Sequence, residues 1–166
     1  ADKLVLPGVG HFSIGIQKLT SKGIFPLLDY KVREKKTPVM GICLGMQLLT
    51  HSSEEGNGKG FGWIDAVTKK FDLEDSKLKI PHMGWNTVTP VKNSKILDKL
   101  ETDSMMYFVH SYFVACKDIH DVLLTTNYGI SFHAAIEREN VLGFQFHPEK
   151  SHKAGLTLIK NFIEKY

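Results

Sequence analysis

A cysteine between two glycines is the feature of this 166-residue sequence that most clearly predicts chemistry. Cys43 stands between Gly41 and Gly45, where a short apolar run leads directly into a helical pattern. Such a turn forces its central residue into strained backbone geometry and crowds the neighbours, which favours glycine on both sides. The start of a helix beside the sulfur favours the thiolate and offers backbone N–H groups to an oxyanion. We therefore predict that Cys43 is a nucleophile rather than a buried structural cysteine.

A base and an acid that could orient it follow in one motif near the end of the chain. His147 comes directly after the apolar run at residues 141–146, and Glu149 follows it across Pro148. Because the carboxyl ends of parallel strands share one sheet edge, His147 should lie near Cys43. A histidine there can take the thiol proton, and a carboxylate can hold the imidazole in position. The sequence thus predicts a catalytic triad of Cys43, His147 and Glu149.

The loop at residues 7–10 is expected to supply an electrophilic element. Its glycines, Gly8 and Gly10, leave backbone N–H groups accessible. One of these groups, together with the N–H of Leu44, could bind the oxyanion of a tetrahedral intermediate. Taken alone, the same loop would be an ordinary turn between a strand and a helix.

Strand and helix patterns that would position these groups alternate along the first half of the chain. Apolar runs predict strands at residues 4–6 and 39–42, and amphipathic patterns predict helices at residues 12–19, 27–36 and 44–50. Strands joined by helices in this way are parallel, with a ligand crevice at their carboxyl ends. The second half predicts strands at residues 65–71, 85–91, 105–115, 122–127, 132–136 and 141–147, and helices at 95–100 and 153–166. The pattern as a whole predicts an α/β fold.

The composition favours one globular domain in a reducing compartment. With 42% hydrophobic residues the chain can bury a core, and its formal charge of +3 is scattered, which gives nucleic-acid or membrane binding little support. Two cysteines, no secretory leader and no membrane-length apolar run predict a cytoplasmic protein, with Cys116 structural. No metal site is predicted, because the eight histidines show no ligand spacing, and Gly58-Lys59-Gly60 lacks the spacing of a phosphate loop.

Five segments give the chain an end-to-end resemblance to the class I, triad-type glutamine amidotransferases. They are residues 6–10, 41–47, 81–86, 107–112 and 143–150. Within that family, residues 81–86 and 107–112 are most similar to the glutaminase subunits of imidazole glycerol phosphate synthase. The resemblance implies a flavodoxin-like fold in residues 1–166, an open and mostly parallel sheet with flanking helices, and no cofactor.

The resemblance also implies roles for individual residues. Cys43 would attack the side-chain amide of glutamine to form a thioester, with His147 moving protons and Glu149 orienting it. The residues implied for the oxyanion site are Val9 and Leu44, and Gly8 and Gly10 would shape the loop. Those implied in holding the substrate glutamine are Gln47, Glu55, Ser111 and Tyr112, with Glu54 as the alternative to Glu55.

A partner subunit is part of the same resemblance. In this subfamily ammonia passes to a (β/α)₈-barrel cyclase, in a heterodimer that makes imidazole glycerol phosphate and AICAR in histidine biosynthesis. Residues that match the interface are Trp85, Tyr107 and Lys150, although Trp85 and Tyr107 would also suit a core. Two alternatives stay open: a paralogous amidotransferase that supplies ammonia for sugar amination in surface polysaccharides, and a catalytically silent docking subunit.

The start of the chain departs from the family pattern. A βαβ segment usually precedes the strand that leads into Pro-Gly-Val-Gly, and it is absent ahead of residues 4–6. The chain is therefore expected to be truncated at its N-terminus, with an uncovered sheet edge and apolar helix face and a low stability by itself.

Overall fold

The computed structural model describes residues 1–73 and 78–166. Its strands are β1 (Leu4–Gly8), β2 (Val39–Cys43), β3 (Ser52–Ser53), β4 (Gly58–Lys59), β5 (Ala66–Lys70), β6 (His82–Thr87), β7 (Thr89–Pro90), β8 (Met105–His110), β9 (Tyr112–Cys116), β10 (Val122–Tyr128), β11 (Ile130–Arg138) and β12 (Val141–Phe144). Its α-helices are α1 (Phe12–Ser21), α2 (Ile24–Asp29), α3 (Leu44–Leu48) and α4 (His152–Lys165). Short 3₁₀ turns occupy Lys95–Leu97, Ile119–Asp121 and Pro148–Lys150, and a π-helical turn occupies Tyr30–Glu34.

Three parallel strands carry the candidate site. β2 pairs in parallel with β1 on one side and with β12 on the other. All five residues of β2 are buried, which explains its continuous apolar run, because helices or loops cover both faces of such a strand. Gly8 lies opposite Cys43, and Phe144 lies opposite Ile42. The carboxyl ends of all three strands therefore meet at one edge, as the βαβ pattern predicts.

The sheet continues beyond β12 through strands of mixed direction. From β1 its order is β1-β2-β12-β11-β9-β5-β3-β4. β11 is antiparallel to both β12 and β9, and β5 is antiparallel to β9 but parallel to β3. β6 and β8 form a separate antiparallel ribbon. The predicted α/β fold is confirmed, with antiparallel strands added to the parallel group.

Some predicted elements are divided in the structure. The strand predicted at residues 105–115 breaks at Ser111, so that β8 belongs to the ribbon and β9 to the large sheet. Apolar and aromatic residues continue on both sides of Ser111, and residues 105–116 contain no glycine or proline, so the sequence pattern does not reveal this break. The helix predicted at residues 27–36 begins earlier, at Ile24, and ends in the π-helical turn. The helix predicted at residues 95–100 is only a 3₁₀ turn.

Two buried apolar clusters lie against β2. One contains Met40 and Ile42 and extends to Leu158 and Phe162 of α4. The other contains Val39 and extends to Phe12 of α1. Because neighbouring residues of a strand point to opposite faces, the two clusters cover the two sides of β2. Among the described residues, no helix is long and apolar enough to cross a membrane.

Candidate active site

Cys43 occupies a strained turn between β2 and α3. Its φ of 53° and ψ of −109° lie outside the regions that residues with a Cβ normally adopt. A Cβ on Gly41 would lie 2.6 Å from the backbone of Gly45, and a Cβ on Gly45 would lie 1.7 Å from the carbonyl oxygen of Leu6. The sequence Gly-x-Cys-x-Gly is thus a steric requirement of this turn.

The sulfur of Cys43 is held as a thiol in this conformation. Burial raises the pKa of Cys43 to about 11, with smaller increases from the carboxylates of Glu149 and Glu55. The backbone N–H of Leu44 and the amide of Gln145 lower the pKa by less than burial raises it. Sγ also lies 3.9 Å from the carbonyl oxygen of Val109, as a donor. The start of α3 does favour the thiolate as predicted, but burial outweighs that effect here.

His147 and Glu149 form a bonded pair at the end of the β12 segment. Nδ1 of His147 lies 2.7 Å from Oε1 of Glu149, because the 3₁₀ turn Pro148–Lys150 brings the carboxylate back to the ring. The backbone N–H of His147 donates to the carbonyl of Tyr107 at 2.9 Å, which fixes the histidine against β8. Nε2 is buried and has no hydrogen-bond partner among the described residues. The pair can therefore accept a proton at Nε2.

A cavity of about 300 Å³ lies at Cys43. Eight residues predicted for the site line it, namely Val9, Gly10, Cys43, Leu44, Gln47, Glu55, Ser111 and Tyr112. Three lining residues were not predicted for the site, namely Pro81, Val109 and His110. Gly8 lies behind the lining, where a Cβ would be 3.2 Å from the Cβ of Leu44. Gly10 adopts a φ of 113°, which suits glycine.

Of the two neighbouring acids, Glu55 is the one at the cavity. Its Oε2 accepts the backbone N–H of Phe12 at 2.7 Å, at the start of α1. Glu54 is exposed, and its carboxylate accepts the backbone N–H of Lys70 at 2.7 Å instead. The alternative assignment to Glu54 therefore has no support in the geometry.

Sequence reasoning missed a buried polar network behind the cavity. Nε2 of Gln145 lies 3.7 Å from the sulfur of Cys43, and its Oε1 accepts from Nε2 of Gln47 at 3.2 Å. On the other side of Gln47, Nε2 of His110 lies 3.0 Å from Nδ1 of His82. Burial lowers the pKa of His110 to about 3 and that of His82 to about 4, so both rings are neutral at physiological pH. A signal was present in the sequence, because Gln145 is a polar residue between two phenylalanines in a buried run.

The three residues expected at a partner interface lie close together at the surface. Trp85 is 42% exposed, which excludes a place in the core. Its ring packs edge-on against Tyr107, with centroids 5.8 Å apart, and stacks on His152. Nζ of Lys150 lies 5.9 Å from the ring centroid of Tyr107. Met83, two residues before Trp85 on the same face of β6, is 61% exposed.

Metal ligands are not grouped in the part of the chain that the structure describes. Among residues 1–73 and 78–166, no three His, Cys, Asp or Glu side chains are arranged to hold an ion. Both cysteines, Cys43 and Cys116, are free thiols.

Comparison with known proteins gives consistent matches. The sequence model of the family "Glutamine amidotransferase class-I" matches residues 2–166. "Imidazole glycerol phosphate synthase subunit HisH 2" of Pseudomonas aeruginosa is 52% identical over 164 residues, which cover 99% of this chain and 81% of the relative. The protein of the same name from Methanococcus maripaludis is 52% identical over 165 residues, with the same coverage. The HisH subunit of Leptospira borgpetersenii is 47% identical over 163 residues, 97% of this chain and 80% of the relative.

Solved structures agree on the fold. A crystal structure of a glutamine amidotransferase has a TM-score of 0.72 at 16% identity, over 97% of this chain and 79% of that one. The glutaminase domain of Trypanosoma brucei CTPS with bound acivicin has a TM-score of 0.67 at 19% identity, over 100% of this chain and 72% of that one. The family model matches nearly the whole chain, and two relatives are 52% identical to it. The chain therefore belongs to the class I glutamine amidotransferases.

Proposed function

We propose that the chain is the glutaminase subunit of imidazole glycerol phosphate synthase, which hydrolyses glutamine to glutamate and ammonia for histidine biosynthesis. The observation that carries the proposal is the bonded His147–Glu149 pair, whose buried Nε2 has no partner among the described residues, at the same sheet edge as the strained turn of Cys43. Relatives that bear this subunit's name, at 47 to 52% identity, support the choice of pathway.

The reaction begins with a proton transfer. Nε2 of His147 takes the proton of Cys43, and the thiolate attacks the side-chain carbonyl carbon of glutamine. The oxyanion that forms accepts hydrogen bonds from the N–H groups of Leu44 and Val9. When the C–N bond breaks, His147 returns its proton to the nitrogen and ammonia leaves, so that a thioester remains. A water molecule, deprotonated by His147, then cleaves the thioester to glutamate and restores the thiol, while Glu149 holds the ring throughout.

The lining of the cavity suits the two charged ends of glutamine. The carboxylate of Glu55 complements the amino group, and backbone and side-chain groups of Ser111, Tyr112 and Gln47 complement the remaining polar atoms. Glu55 also bonds the first turn of α1, which follows the loop at residues 7–10. We therefore propose that Glu55 both binds the substrate and holds this loop in position.

The partner in this proposal is a (β/α)₈-barrel cyclase that receives the ammonia. We place its contact at the surface formed by Trp85, Tyr107 and Lys150, where Met83 adds exposed apolar area. Because burial holds Cys43 as a thiol in the isolated chain, docking is expected to raise activity by rearranging the cavity. A cytoplasmic location belongs to the proposal and is supported by the two free thiols.

Glutamate release tests the chemistry. The chain should release glutamate from glutamine weakly by itself and faster with the cyclase subunit. Cys43→Ala should abolish release under both conditions, whereas Cys116→Ala, the matched control, should retain it. Release that persists in Cys43→Ala would overturn the mechanism. A silent docking subunit would show no selective labelling of Cys43 by a glutamine-like diazo-ketone.

Complementation tests the acceptor reaction. The gene should restore growth without histidine to a strain that lacks the glutaminase subunit, and the gene carrying Cys43→Ala should not. If the purified protein releases glutamate but the gene fails to complement, the sugar-amination alternative is favoured and the histidine assignment falls.

A further inference from the structure

Gln145 is a fully buried amide whose donor end faces the nucleophile. It lies between Phe144 and Phe146, which are both fully buried as well. A primary amide in such apolar surroundings is costly unless its polar atoms find partners. We propose that Gln145 is the hydrogen-bond donor that stabilises the thiolate of Cys43, and that Gln47 is the positioning residue that fixes the direction of its amide. The proposal rests on the proposed role of Cys43 as the nucleophile.

The register of the sheet places Gln145 beside the sulfur. Phe144 is opposite Ile42 in the parallel pair of β12 and β2, so that the next residues of the two segments, Gln145 and Cys43, reach the same level. The backbone N–H of Gln145 donates to the carbonyl of Ala134 at 2.9 Å, which holds the segment in place after β12 ends. The backbone position of Gln145 is therefore held, and the remaining question is which end of its amide faces the sulfur.

Gln47 determines which end of that amide faces the sulfur. Nε2 of Gln47 donates to the carbonyl oxygen of Tyr112 at 3.2 Å, and a carbonyl oxygen can only accept. The second hydrogen of the same nitrogen points to Oε1 of Gln145, also at 3.2 Å. Turning the amide of Gln145 over would place two N–H₂ groups against each other and an oxygen against the sulfur. The donor end of Gln145 therefore faces Cys43.

Two histidines hold the carbonyl on which this orientation depends. Nδ1 of His110 lies 2.7 Å from the oxygen of Tyr112 and must carry a hydrogen to bond it. Nε2 of His110 is then an acceptor, and it lies 3.0 Å from Nδ1 of His82. The low pKa values of both rings, which burial causes, keep this arrangement neutral. In this chain of hydrogen bonds, Nδ1 of His82 donates to His110, and Nδ1 of His110 donates to the carbonyl oxygen of Tyr112.

The bond from Gln145 favours the thiolate over the thiol. A thiol sulfur is a weak acceptor, whereas a thiolate is a charged one, so the bond strengthens when Nε2 of His147 takes the proton. The same bond assists when the C–S bond of the thioester breaks and the electron pair returns to the sulfur. Val109 has the opposite effect, because its carbonyl can bond the thiol hydrogen but repels the thiolate. Gln145 is thus the side chain that partly offsets the burial of Cys43.

The rate of alkylation of Cys43 by iodoacetamide tests the proposal. The measurement uses the Cys116→Ser background, so that intact mass reports on Cys43 alone. Gln145→Met keeps the length of the side chain but removes the donor, and it should slow alkylation about tenfold at each pH between 7 and 9.5, the effect of a pKa raised by about one unit. Gln47→Leu, which frees the amide to turn, should slow alkylation about threefold, because part of the population then loses the bond.

The direction of the change separates this role from a structural one. A substitution that merely loosens the site exposes the sulfur and speeds alkylation, so Phe144→Leu, the matched control, should match or exceed the parent rate. Parent-like rates in both glutamine variants would overturn the proposal, as would an equal slowing in Phe144→Leu. If Gln145→Met does not fold, the rate of Gln47→Leu decides the question. Since no glutamine is present, failure of the proposed glutaminase function would leave this result unchanged.

Discussion

Nδ1 of His147 lies 2.7 Å from Oε1 of Glu149, although the two residues are separated only by Pro148. Because that nitrogen faces a carboxylate, it carries the hydrogen, and Nε2 is left as the basic atom of the ring. Nε2 is buried without a hydrogen-bond partner in the part of the chain that the structure describes. A buried acceptor without a partner costs free energy. A proton taken up at Nε2 during the reaction would give this atom a partner, so we interpret the ring as the base.

The first prediction separates the two effects of Glu149. Glu149→Gln should lower glutamate release in the presence of the cyclase by about 10²-fold or more, because the imidazolium loses its stabilising charge. The same substitution should speed alkylation of Cys43, since the carboxylate of Glu149 raises the pKa of that thiol. Glu164→Gln, at an exposed position of α4, should change neither rate. Slower alkylation of Glu149→Gln would contradict the electrostatic account.

The second prediction concerns the pH dependence of Cys43 itself. Burial raises its pKa to about 11, so that only a small thiolate fraction exists at neutral pH. In the Cys116→Ser background, alkylation should rise about tenfold per pH unit between pH 7 and 10, because the rate follows the thiolate. A rate that levels off between pH 7 and 8 would show an activated thiol and contradict the buried resting state. Addition of the cyclase should move the profile towards lower pH.

The triad and most of the cavity could be predicted because their signals are local. The two glycines around Cys43 follow from a steric requirement of one turn, and only Pro148 separates His147 from Glu149. Gln145 lies within the matching segment at residues 143–150, but its role is not predictable there, since its contact with Cys43 depends on the register between β12 and β2. Register between strands that are a hundred residues apart leaves no trace in the spacing of a single sequence.

The pairing of His82 with His110 escaped prediction for a related reason. The two histidines face each other across the ribbon of β6 and β8, which is separate from the large sheet. Their segments carry the resemblance to the family, but the run of apolar and aromatic residues at 105–116 hides the break at Ser111 that places β8 in the ribbon. A run of strand-forming residues without a glycine or proline does not show where one strand ends and the next begins.

The third prediction tests the steric basis of the elbow. Gly45→Ala should unfold the protein or destabilise it by more than about 4 kcal/mol, because the new Cβ would lie 1.7 Å from the carbonyl oxygen of Leu6. Gly10→Ala is the matched control, since nothing lies within 4 Å of a Cβ there and only the φ of 113° is strained. That strain should cost about 1 to 2 kcal/mol. Urea denaturation measures both, and equal losses would contradict the prediction.

The fourth prediction is that the two buried histidines make the fold sensitive to acid. Both rings have folded-state pKa values, about 4 for His82 and about 3 for His110, below the ordinary value of 6.5. Their contribution to stability is therefore fully present above pH 6.5 and is lost as the pH falls towards 4 and then 3, because the unfolded chain binds the protons first. Each histidine should add up to about 1.4 kcal/mol per pH unit to the slope.

His82→Gln separates this contribution from that of the carboxylates. The variant should be less stable than the parent at pH 7, because it breaks the contact with His110, but its stability should fall less steeply between pH 6.5 and 4.5. Urea denaturation at several pH values measures the slope, and His120→Gln, at an exposed position, should keep that of the parent. An unchanged slope in His82→Gln would mean that its ring takes up its proton without unfolding, and the neutral His82–His110 pair that fixes the carbonyl of Tyr112 would have to be abandoned.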